Sequence, residues 1–206
     1  MKLRYLATVV VLVLTTVASH AQSQPQTQTQ TQGNFGLYLD PIAIHVSNPV
    51  LDTSSFAFLG QQSTGRTFWG VDLGGYYDFF HSGKIDVGAD LRGTDLRANN
   101  AALKELLIGI RVSGKPFTRP FRPYAQASIG GGYTKAPTSI VTVRKVDYRV
   151  AGGLDYTLQR HIDYRIIEVG YGSLETISSG TIGGGGDVAF PASHMLSFST
   201  GLVFRF

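Results

Sequence analysis

The chain has no cysteine and only one tryptophan and two methionines among its 206 residues. The missing thiols exclude disulfides, thiolate metal sites and cysteine nucleophiles. They are no sign of a reducing compartment, because other features of the sequence bear on location. Charge is also scarce, at 16% of residues. The net charge of +4 falls to about +2 once Lys2 and Arg4 are set aside, and no Lys/Arg cluster carries interleaved aromatics, so nucleic acid is not an expected partner. After residue 21 no apolar run approaches eighteen residues, which excludes a membrane-spanning helix.

Glycine and aromatics are what the chain has in quantity: 25 Gly, 12 Phe and 10 Tyr. With scattered charge, this composition suits many short strands better than helices. The start is of another kind. Lys2 and Arg4 precede an apolar run from Leu6 to Val17, and Ser19-His20-Ala21 puts small residues where a signal peptidase cuts. Residues 1–21 therefore read as a signal peptide. Residues 22–33, rich in Gln and Thr, cannot bury apolar area and are expected to form a disordered periplasmic lead.

From residue 34 to 206 the pattern has period two. Eight alternating segments are expected, at about 35–45, 67–80, 84–92, 102–113, 122–133, 144–157, 163–174 and 194–206. Pro41 is expected to force a bulge in the first, since Ile42 and Ile44 fall out of phase with Phe35, Leu37 and Leu39. A helical first turn at residues 101–107 is the competing reading of the fourth. Short turns at 81–83, 114–121 and 158–162 alternate with longer loops at about 46–66, 93–101, 134–143 and 175–193. Outward-phased aromatics form two belts. Tyr77, Phe79, Tyr156, Phe204 and Phe206 lie near the short turns; Trp69, Tyr133, Tyr148, Tyr171 and Phe198 lie toward the loops. The expected fold is all-β: an eight-stranded antiparallel transmembrane up-and-down β-barrel with four external loops.

The other phase is charged. Asp72, Asp86, Asp90, Arg111, Arg149, Glu168 and Arg205 are expected to form an interior polar network, with Arg111, Arg149 and Glu168 at its centre. Lipid penalises a midplane Arg or Lys by about 2–4 kcal/mol, so these side chains belong in the lumen. The final segment resembles the C-terminal targeting signal of bacterial outer-membrane barrels, on Ser199, Gly201, Phe204 and Phe206. Residues 33–206 as a whole are similar to the transmembrane domain of outer membrane protein A and related porin-family barrels. Besides the last strand, Gly152-Gly153-Leu154-Asp155-Tyr156 and Glu168-Val169-Gly170-Tyr171 carry that likeness. The resemblance implies the outer membrane of a diderm bacterium, contact with outer-membrane lipid, and recognition of the last strand by the barrel assembly machinery. No peptidoglycan-binding domain is expected after the barrel, so the resemblance does not carry over a cell-wall anchoring role.

No catalytic, cofactor or metal site is expected, and a monomer is. His45-Val46-Ser47 is similar to the His-x-Ser pattern of outer-membrane lipid A deacylases, but no acidic partner accompanies it. The four glycines at 183–186 are followed by no Lys-Ser/Thr and are expected to be a loop tip, not a phosphate cradle. The leading functional expectation is a structural or surface-interaction barrel with an unidentified loop ligand. A small pore comes second and a lipid A-modifying enzyme third.

Overall fold

The computed structural model describes residues 34–52, 57–60, 62–114, 120–137, 139–176 and 192–206. The signal peptide and lead, and the glycine run at 183–186, lie outside the described residues. Eight strands run in chain order: β1 (Phe35–Ser47), β2 (Gly65–Ser82), β3 (Ile85–Ala98), β4 (Ala101–Gly114), β5 (Phe121–Lys135), β6 (Thr142–Gln159), β7 (Ile162–Thr176) and β8 (Ser193–Arg205). Each pairs antiparallel with the next and β8 pairs with β1, which closes the barrel. At the seam the Phe206 amide donates to the Phe35 carbonyl at 2.8 Å, and the two rings lie 6.2 Å apart. Closure leaves no free sheet edge.

The two faces of the wall are inverted relative to a soluble protein. Below the loop-end rim the outward side chains are largely apolar and bare, among them Val150, Ile108 and Leu106, while buried side chains include ten Asp or Glu: Asp40, Asp72, Asp78, Asp86, Asp90, Glu105, Asp147, Asp155, Asp163 and Glu168. Such an exterior is at home in hydrocarbon, where every backbone polar group must be satisfied within the wall.

Several local expectations change. β1 has no bulge at Pro41: on the β8 side Leu39 faces Leu202 and Ile42 faces Ser199, in one register. Ile42 and Ile44 point inward, in phase with Tyr38 and Asp40. A bulge lies instead in β7, where Ile166 and Ile167 together oppose Thr200 of β8, and register also shifts between Asp78 and Phe80 of β2 and between Thr157 and Gln159 of β6. Both isoleucines therefore face outward, where strict alternation would turn one of them inside. The Thr200 hydroxyl donates to the Arg165 carbonyl at 2.8 Å, satisfying an acceptor beside the break. The expected loop at 93–101 is strand: β3 continues to Ala98 and a two-residue turn, Asn99-Asn100, enters β4, with no helical turn at 101–107. Both asparagines have positive φ, 44° and 68°, as the tightest hairpin turns require. The loop end thus carries two long connections, 48–64 and 177–192, one of six residues at 136–141, and this turn, in place of four long loops.

Candidate functional site in the barrel lumen

The β7 bulge decides what fills the lumen. In a regular strand Arg165 and Glu168, three residues apart, would point to opposite faces. The extra residue brings both inside, where each is fully buried. Glu168 accepts two hydrogen bonds from the Arg92 guanidinium, at 2.6 and 3.1 Å, and one from the Tyr124 hydroxyl at 2.6 Å. Arg165 lies 3.5 Å from the same carboxylate and pairs on its other sides with Asp40 and with Asp155 at 3.2 Å. Asp155 also accepts from Arg111 at 2.8 Å. Arg92 pairs further with Asp72 at 3.1 Å and donates to the Tyr38 hydroxyl, which itself donates to Asp90 at 3.0 Å. Gln126 completes Asp90 with a 2.6 Å hydrogen bond. One lattice therefore ties β1, β2, β3, β4, β5, β6 and β7 across the barrel axis.

Rings hold the guanidinium planes in place. Arg111 is sandwiched between Tyr76 and Tyr124, 4.1 and 4.0 Å from the ring centroids, and Arg165 lies over Tyr38 and Tyr124. Glycine on the neighbouring strand makes the rings possible. Tyr38 faces Gly74 and Tyr124 faces Gly153, and a Cβ at either glycine would run into the ring opposite. The lumen's width is thus spent on tyrosines lying flat against bare backbone.

Two further clusters flank the lattice. Toward the loops, Arg149 pairs with Glu105 at 2.5 Å and lies 3.6 Å from Asp147. Toward the turns, Asp86 takes Arg122 at 3.4 Å and His81 at 2.8 Å, and Arg205 pairs with Asp163 at 2.7 Å. Of the expected interior residues, Asp72, Asp90, Arg111 and Glu168 share the central lattice; Arg149 belongs to the loop-side cluster, and Asp86 and Arg205 to the turn side. The expected centre of Arg111, Arg149 and Glu168 is therefore corrected. Arg111 makes no ion pair with Glu168 and reaches it through Tyr124 or through Asp155 and Arg165, while Arg92 and Arg165 do the central pairing. Arg92 was taken for a strand end, and Arg165 was hidden by the bulge. Tyr38, on the face opposite Leu37 and Leu39, carries no charge to mark it for an ion lattice.

Above the ions the lumen turns apolar. Ile42, Ile44, Phe68, Leu96, Leu103, Leu174 and Met195 pack as one cluster, and loop residues Phe58 and Leu59 descend into it. Phe58 stacks on Phe68 at 5.7 Å, and the Lys145 ammonium sits 4.8 Å from the Phe58 ring. Chemically, the arrangement can close a passage. Each ion is held by partners it would cost several kcal/mol to lose, and the mouth is plugged with hydrocarbon.

The remaining candidates lie elsewhere. His45 and Ser47 share the outward face, and the His45 ring is hydrogen-bonded to Thr67 at 3.0 Å. Ser199 is buried, Gly201 backs onto Asp40, and Phe204 and Phe206 face outward.

The chain matches no protein-family profile and no curated protein. Among solved structures it is similar to Neisserial surface protein A, at 16% identity and a TM-score of 0.51, covering 86% of this chain and 100% of that one. It is also similar to Ail, the attachment invasion locus protein of Yersinia pestis, at 11% identity and a TM-score of 0.52, covering 85% and 100%. At such identities the likeness speaks for the fold. The fold is that of the small eight-stranded outer-membrane barrels.

Proposed function

We propose that the protein is a sealed outer-membrane barrel whose work is done at its surface, by the long connections 48–64 and 177–192, and not through its lumen. The observation that carries this reading is the double closure: an ion lattice spanning seven strands, under an apolar plug that includes Phe58 and Leu59. An ion crossing the barrel must part several buried charge pairs and displace the plug. The Yersinia neighbour, an attachment invasion locus protein, agrees with work at the surface. The barrel sits in outer-membrane lipid as a monomer. Its last strand, through Ser199, Gly201, Phe204 and Phe206, is what the assembly machinery reads. The wall carries no catalytic role in this proposal.

Planar-bilayer recording tests it. The purified, refolded protein should give flat traces at moderate voltage. Reproducible stepwise conductance would refute the sealed reading and establish the small pore.

A further inference from the structure

Cations on the outer wall are gathered on one side of the barrel, near the loop end. The strand register identifies the neighbours. One row runs Asp95, Lys104, Tyr133 and Arg144 across β3 to β6. The next row toward the loops runs Trp69, Arg97, Ala102 and Lys135 across β2 to β5. The Arg97 and Lys104 side chains are 79% and 58% exposed, Arg144 is exposed and Lys135 half-exposed. Asp95 is the one carboxylate in these rows. It is shared between Lys104 at 3.1 Å and Arg97 at 3.8 Å, leaving a net charge of about +3 on the patch.

Immediately below, the register row is Leu73, Gly93, Leu106, Gly131 and Val146, uncharged from β2 to β6 before it reaches Glu175 on β7. The cations therefore stand directly over the lipid-facing wall, level with Trp69 and Tyr133, the rings that mark a lipid–water boundary. Arg144 lies 6.0 Å from the Tyr133 ring centroid. Glu175 of β7, opposite Val146, bounds the patch on the β6 side; around the rest of the barrel the outward residues at this end are His45, Thr67, Tyr171, His194 and Leu196, with no Lys or Arg among the described residues. Strands lie about 4.8 Å apart, so Lys104 and Arg144, two strands apart, are separated by about 10 Å. Lys104 and Lys135 are diagonal neighbours at roughly 7–8 Å. That spread suits a headgroup bearing more than one phosphate.

We propose that the outward face of β3 to β6 is a lateral binding site for the phosphorylated headgroup of an outer-leaflet glycolipid, held by Arg97, Lys104, Lys135 and Arg144. A lipid fits better than a soluble polyanion because the cations lie on the wall, continuous with the apolar rows that would take its acyl chains. The site rests on the reading that the loop end faces outside.

The test uses the full barrel folded in detergent micelles. Binding of bisphosphorylated lipid A is compared with that of the same lipid stripped of phosphate, and with a soluble sulfated polysaccharide. Loss of the phosphates, or the double substitution Lys104→Gln with Arg144→Gln, should weaken binding roughly tenfold or more. Lys84→Gln with Arg160→Gln, at the opposite end, should leave it unchanged. Heat-modifiability gels establish that each variant is folded. Equal binding of the two lipids, an unaffected Lys104/Arg144 variant, or preference for the polysaccharide overturns the site. Orientation is read separately. With no native cysteine, Ser139→Cys on intact cells should react with a membrane-impermeant maleimide. Absence of that labelling would sink the outward placement of the loops while the micelle result stands.

Discussion

Glu168 is the sharpest place to perturb the lumen. In Glu168→Ala the Arg92 guanidinium loses both of its hydrogen bonds to that carboxylate, Tyr124 loses its acceptor, and Arg165 loses one of three anionic neighbours. Removing one partner of a buried pair costs about 3–5 kcal/mol, because the charge left behind cannot return to water. Here the lower end applies. Arg92 retains Asp72 and Tyr38, and Arg165 retains Asp40 and Asp155. A loss of about 3 kcal/mol is expected, with roughly half of it in Glu168→Gln, which keeps the shape and an acceptor for Tyr124. Asp95→Ala, which removes exposed ion pairs on the outer wall, should cost about 1 kcal/mol or less. Equilibrium urea unfolding in lipid vesicles compares the three. If Glu168→Ala proved as mild as Asp95→Ala, the lattice would not be what holds the interior together.

Two other substitutions probe how the lattice is held. Gly153→Ala puts a methyl group into the Tyr124 ring and should cost about 1–3 kcal/mol in the same assay, with the penalty shrinking when Tyr124→Ala is already present. At the β3–β4 turn, Asn100→Val should lose about 1–2 kcal/mol and Asn100→Gly little or nothing, because only the glycine accepts φ of 68° without strain; equal stabilities would mean the turn is free to change its geometry.

Alternation made most of the barrel legible before any coordinates. It gave the eight strands, the outward belts from Trp69 to Phe206, and an inward phase containing Asp72, Asp90, Arg111 and Glu168. Period two is a local property: adjacent side chains on an extended backbone point to opposite faces whatever the rest of the chain does. The same rule misleads wherever the backbone departs from it. Counted back from Glu168, strict alternation would turn Ile166 inward and Arg165 outward; one extra residue in β7 reverses the phase, and only pairing with β6 and β8 shows where that residue sits. Pro41 looked like the irregularity because proline lacks a donor, yet β1 runs through it in unbroken register.

The sequence by itself determined a wall with an apolar outside and a charged inside, since both follow from alternation and the cost of charge in hydrocarbon. Only the tertiary structure decided which charges meet. Arg92 and Glu168 are 76 residues apart, and Arg165 and Asp40 are 125 apart. Barrel closure, strand stagger and the β7 bulge set those meetings together. The tertiary structure also decided the descent of Phe58 into the mouth, which no local pattern encodes because the cluster it joins draws Phe68, Leu103 and Met195 from three different strands.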